Sequence, residues 1–192
     1  MAGFLTASIL DIIHPIIQNP SEARAVSELI ALIEKGASPT YCCFWGHTPK
    51  DPNQVDQSCL SNWFPAPFHI DDVLYPTTEH YMMAAKAREF DDLAIQDQII
   101  EAAGPREAKT LGRQVSGFTD EIWNARRFEI VVEGNLAKFS QNAALGDFLL
   151  STGDAVLVEA SPRDRIWGIG IAPFPLTGSF PTHFDVDFSA NY

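Results

Sequence analysis

The sequence predicts a mainly α fold with a few short strands, organised as one compact domain, and three observations carry that expectation. Most of residues 78 to 151 falls into apolar-periodic segments opened by capping residues or proline and closed by glycine. The β-like stretches, "TYCCFWG" and "AVLVEA", are short and far apart. The composition, 46% hydrophobic and 20% charged over 192 residues, is that of a globular chain long enough to bury a core without staples.

In chain order, residues 4–17 and 21–35 form two amphipathic patterns separated by "QNPS", with Ser21 as N-cap and Gly36 as stop. "TYCCFWG" has the unbroken apolar and aromatic character of a buried strand, and a polar loop follows at 47–57. "CLSNWFPAPFHIDDVLYP" is expected to be irregular chain with short strands, because Pro65 and Pro67 exclude a helix or a central strand. Helices are expected at about 78–90, at 92–103 ending before Gly104, and again from Pro105. Thr119 caps a long helix to about 141, and another spans 143–151 before Gly153. "AVLVEA" is a strand feeding the loop "SPRDRIWGIGI". The tail from Ala172 has prolines and aromatics without helical period and is expected to be poorly ordered. The implied division is a helical extension over 1–40, a domain over 41–171 and an atypical tail over 172–192.

The 13 basic and 25 acidic residues leave a net charge of −12, which disfavours nucleic acid and anionic membranes as partners of the whole surface. The charge is uneven. Residues 86–138 hold eight bases and ten acids, a net of −2, leaving −10 elsewhere, so a bound anion is expected in that middle segment. Cys42, Cys43 and Cys59 match no zinc or redox spacing and are expected to be buried or partly buried free thiols in a reducing compartment. The N-terminal stretch lacks a basic leader and is interrupted by Asp11, His14 and Pro15, and no apolar run is long enough to span a membrane. A soluble cytoplasmic protein follows, and nothing in the sequence calls for a metal or redox cofactor.

Three segments could supply one site. On a helix, Glu79, Met82, Met83 and Lys86 share a face, so an acid and a base lie two turns apart on an otherwise core-facing stripe. They are either solvated charges or one wall of a pocket. On the long helix Trp123, Arg127, Val131, Gly134 and Lys138 form a second stripe with a gap at the glycine, where Trp123 is either core or a stacking platform. The third is "VEASPRDRIWGIG", a strand and glycine-rich loop carrying Asp164 and Trp167. Asn62 of "LSNWFP" adds an amide able to read a hydroxyl or ring nitrogen.

"FWG", "LSNWFPAPF", "YPTTEHYMMAAKA", "LGR", "KFSQN" and "TGDAVLVEASPRDRIWGIG", in this order, resemble the YbiA-like family, also called NADAR, over roughly residues 41–171. The resemblance implies a compact, mostly helical domain and an N-glycosidase that frees ribose phosphate from early intermediates of riboflavin biosynthesis. Related members act on ADP-ribose attached to guanine, so an ADP-ribosyl-guanine hydrolase is an alternative, as is a non-catalytic module that binds ADP-ribose or another nucleotide. By position, the resemblance makes Glu79 and Asp164 the catalytic pair and assigns substrate binding to Asn62, Lys86, Arg113, Trp123, Lys138 and Trp167. After "IWGIGI" the chain departs from the family pattern, which continues to an Asn-Leu-Gly signature and a closing helix.

The chemistry accounts for these residue types. Cleaving a ribosyl C–N bond builds positive charge at the anomeric carbon and negative charge on the departing base, so an anion is wanted at the sugar and donors at the base. The implied substrate is a small N-riboside phosphate. Two indoles would enclose its heterocycle, and Lys86, Arg113 and Lys138 would hold its phosphate. Which carboxyl is the acid and which the stabiliser is not set by sequence.

Overall fold

The computed structural model describes residues 19–23 and 26–161. Within them lie six α-helices and four short strands: α1 (Val26–Glu34), β1 (Tyr41–Phe44), β2 (Phe68–Ile70), β3 (Val73–Tyr75), α2 (Thr78–Glu89), α3 (Leu93–Ile100), α4 (Pro105–Gly112), α5 (Asp120–Gln141), α6 (Ala143–Ser151) and β4 (Val156–Glu159). The mainly α expectation therefore holds. The anticipated helix at 4–17, the loop from Pro162 and the tail from Ala172 lie outside the described residues.

The boundaries follow capping chemistry. The Thr77 hydroxyl accepts from His80 N–H, Asp92 from Ile95 N–H and Thr119 from Ile122 N–H, each filling one orphan donor of a first turn. Pro105 opens α4, where a missing N–H costs nothing. Two expectations need correction. Residues 21–35 are not one continuous helix: a 3₁₀ turn at Pro20–Glu22 is followed by α1. And β1 is half-buried along its length rather than fully buried: among the described residues it pairs, in parallel, with β4 alone, and Trp45 at its end is 64% exposed. The prolines of 65–67 give way to an antiparallel hairpin of β2 and β3, with Asp71 and Asp72 both at positive φ in its turn.

Helix α2 is the axis of the domain. It packs against α3, α4 and α5, and every residue from Thr78 to Ala85 is buried. Two glycines let neighbours approach it closely. A Cβ on Gly134 of α5 would stand 2.6 Å from Tyr81 Cδ1, and one on Gly112 of α4 would stand 2.2 Å from Met83 Sδ. The gap in the α5 stripe at Gly134 is thus the seat of Tyr81. Arg88 and Glu89 emerge to solvent on the far side of α2, and Glu89 pairs with Arg126 at 3.4 Å. All three cysteines are free, with Cys59 buried and Cys42 and Cys43 half-buried.

Candidate active site

Glu79 lies in the first turn of α2 and is 2% exposed. Its position there follows from the Thr77 cap and favours a carboxylate, since the first-turn N–H groups present partial positive charge. Its backbone N–H donates to the carbonyl of Asn62 at 3.0 Å, which brings the loop of "LSNWFP" against the same turn. The neighbouring His80 is a satisfied core histidine. Its Nε2 faces the carbonyl of Ala102 at 3.2 Å and its Nδ1 the Thr77 hydroxyl at 2.8 Å. A carbonyl can only accept, so Nε2 carries the proton and Nδ1 accepts from Thr77. Burial lowers the pKa of this imidazole, against the opposing pull of the Ala102 carbonyl and Glu107.

The loop before Asn62 is held from α5. Lys138, fully buried, donates through Nζ to the carbonyls of Cys59 at 2.6 Å and Ser61 at 2.8 Å, with the rings of Phe139 and Phe64 beside it. Burial brings its ammonium down to about 8, opposed by the nearby Cys59 thiol. The expectation that Lys138 grips a phosphate is corrected here, because its charge is turned to loop carbonyls and sealed from solvent. One turn earlier on α5, Asn135 donates from Nδ2 to Asn62 Oδ1 at 3.1 Å and to the Val131 carbonyl at 3.0 Å.

A second group gathers two turns along α2. Lys86, half-buried, donates to the carbonyl of Gly112 at 2.8 Å and lies 4.0 Å from the Phe118 ring centroid and 5.8 Å from that of Trp123. Its pKa is lowered by burial and further by Arg113, with Asp120 opposing. Lys86, Arg113 and Trp123 therefore meet at the C-terminal end of α4. Trp123 is half-buried and rests on the edge of the core, so it is both packing and surface. Arg113 is exposed.

The two groups are joined on the other side by residues that the sequence reading did not single out. Trp63, next to Asn62, has the Lys109 ammonium 5.8 Å from its ring centroid and the His47 ring 5.7 Å away. Lys109 lies on α4 one turn before Arg113. A circuit results, from Glu79 through Asn62 and Trp63 to Lys109 and Arg113, then through Lys86 and back along α2, with Met83 packed on Gly112 between its ends. Glu79 and Lys86 are about 10 Å apart along the helix axis, a span that suits a sugar phosphate. The signal for Lys109 was its spacing of four from Arg113. Trp63 lay inside a motif already quoted.

Among the described residues no three His, Cys, Asp or Glu side chains gather as a metal site, and no helix is long and apolar enough to cross a membrane. Asp164 and Trp167, the remaining expected site residues, lie outside the described residues.

The architecture has a solved counterpart. The NMR structure of the Escherichia coli protein YbiA matches with a TM-score of 0.57 and 29% identity, over 69% of this chain and 73% of that one. The NADAR domain model matches residues 43–177, and the chain belongs to the NADAR domain family. Among curated relatives it is 44% identical over 124 residues to an N-glycosidase of Acanthamoeba polyphaga mimivirus, covering 62% of this chain and 73% of that protein. It is 33% identical over 111 residues to a riboflavin biosynthesis protein of Vibrio vulnificus, covering 58% of this chain and 29% of the relative.

Proposed function

We propose that this protein is an N-glycosidase that hydrolyses the C–N bond between ribose 5-phosphate and the heterocycle of riboflavin-pathway intermediates. The observation that carries the proposal is the withdrawal of Glu79 from solvent beside Asn62, with unpaired cations two turns away. Among the described residues Lys86, Lys109 and Arg113 form no ion pair with an acid, although the chain as a whole has a charge of −12. An anionic substrate group supplies the missing counter-charge. The relatives named N-glycosidase and riboflavin biosynthesis protein support the reaction class and the substrate class.

In this reading the phosphate lies toward Lys86 and Arg113, the heterocycle rests on the Trp123 indole, and the sugar lies at Glu79. As the C–N bond lengthens, the Glu79 carboxylate stabilises the positive charge growing on the anomeric carbon. Water adds to that carbon, the departing nitrogen takes up a proton, and ribose 5-phosphate and the free amine leave. Asp164 is proposed to activate the water and Trp167 to cover the heterocycle. Lys138 acts at one remove by holding the loop that carries Asn62. The substrate is a small molecule met in the cytoplasm, with no nucleic acid in the site.

Glu79→Gln should lower kcat for release of ribose 5-phosphate by about 10²- to 10⁴-fold while the melting temperature and far-UV spectrum stay those of the wild type. Wild-type turnover by this variant would remove Glu79 from the mechanism.

A further inference from the structure

We propose that Asn135 is a positioning residue that locks the Asn62 carboxamide with its –NH₂ group turned away from α5, so that Asn62 meets the substrate only as a hydrogen-bond donor. This rests on the N-glycosidase reading of the site.

The orientation is dictated by a backbone carbonyl. The Val131 carbonyl can only accept, so the Asn135 atom 3.0 Å from it is the amide nitrogen. That nitrogen has one proton left, and it points to the side-chain atom of Asn62 at 3.1 Å. The atom that receives it must be Oδ1. A flip of either amide would set two donors or two acceptors face to face, leaving a half-buried polar group unmatched. The –NH₂ of Asn62 is thereby turned the other way. Among the described residues it donates to no protein group, and it is not one of the buried side-chain atoms without a partner.

The same residue is fixed through its main chain. Its carbonyl accepts from Glu79 N–H, and the preceding carbonyls of Cys59 and Ser61 are held by Lys138. Asn135 and Lys138, three residues apart on α5, therefore hold one loop from the same helix face. Because Asn62 and Glu79 are joined through the main chain, a group that bridges the Asn62 amide and the Glu79 carboxylate must accept from one and donate to the other. A ribose hydroxyl has both capacities, whereas a ring nitrogen without hydrogen has only the first. The substrate contact assigned to Asn62 is therefore a sugar hydroxyl, which donates in turn to the Glu79 carboxylate.

Asn135→Asp reverses the relay, because a carboxylate at 135 can only accept and draws the Asn62 –NH₂ toward itself, presenting Oδ1 to the substrate. The test compares wild type, Asn62→Ala, Asn135→Asp and the double variant for kcat/KM of ribose 5-phosphate release. Asn135→Asp should lose about tenfold or more, and the double variant should be no worse than Asn62→Ala alone. Wild-type kcat/KM in Asn135→Asp, or losses that multiply in the double variant, would overturn the inference and leave the proposed function standing. Should Asn135→Asp melt early, Asn135→Ala serves in the same cycle.

If the wild type releases no ribose phosphate, the proposed function fails, and side-chain amide NMR decides the inference separately. The Asn62 –NH₂ protons should exchange quickly with solvent in the wild type, and in Asn135→Asp one of them should move downfield and slow. Equal shifts and exchange in both proteins would refute it.

Discussion

Lys138 illustrates how a residue's chemistry can be legible while its task is not. Its place on the Trp123 stripe follows from helical spacing, yet its partners, two carbonyls nearly eighty residues earlier, appear only when α5 meets the loop. A buried ammonium at about 8 instead of the ordinary 10.5 sets the sign of a pH effect. The folded-state value is depressed, so the stability this group allows is complete above the unfolded value and is lost as pH falls through the folded one. Raising pH from about 7 to about 9.5 should therefore favour wild type over Lys138→Met by about 2 kcal/mol, read from urea denaturation of both proteins. A constant difference would contradict the burial of the charge. His80 obeys the same sign. Its pKa is lowered from 6.5 by burial, so its contribution is present above that value and falls away as the solution is acidified. Its imidazole should carry the proton on Nε2 in a ¹⁵N spectrum at about pH 7.5; the Nδ1–H tautomer there would show that the Ala102 contact is absent.

At the scale of elements, capping residues and prolines placed most boundaries correctly. Thr119 opens and Gln141 closes α5 as the pattern anticipated, and α6 coincides with the 143–151 segment. The run "TYCCFWG" is only half-buried as β1, since an apolar run shows that burial is possible and not how many neighbours supply it. Packing of α2 rests on its two close approaches, and they should differ in cost. Tyr81 is fully buried, bonded to Glu133 and edge-on to Tyr75, so it cannot yield to a methyl at 134. At 112 the obstructing atom is the sulfur of a flexible Met83. Gly134→Ala should destabilise by about 1–3 kcal/mol despite its better helix propensity, and more than Gly112→Ala, in parallel thermal melts. The reverse ranking would mean that α2 and α5 are not seated at Gly134.

Over the whole molecule, the uneven charge has a functional consequence. An overall charge of −12 repels polyanions, while the segment holding Lys86, Lys109 and Arg113 can still draw in one small anion across a short distance. A single-stranded 20-mer should bind no tighter than about 10⁻⁴ M at roughly 0.15 M salt, measured by fluorescence anisotropy. Micromolar binding would instead favour the ADP-ribosyl-guanine alternative, in which the substrate is carried on nucleic acid.

The linear chain by itself determined the helical class, most element boundaries, the near balance of charge in the middle segment and the face shared by Glu79 and Lys86, because each depends on neighbours within a few turns. Tertiary structure alone decided that Lys138 serves the loop, that Asn135 bonds to Asn62, and that Lys109 lies against Trp63. Those assignments depend on which carbonyls and rings distant segments bring within about 3–6 Å, and local spacing carries no record of such distances.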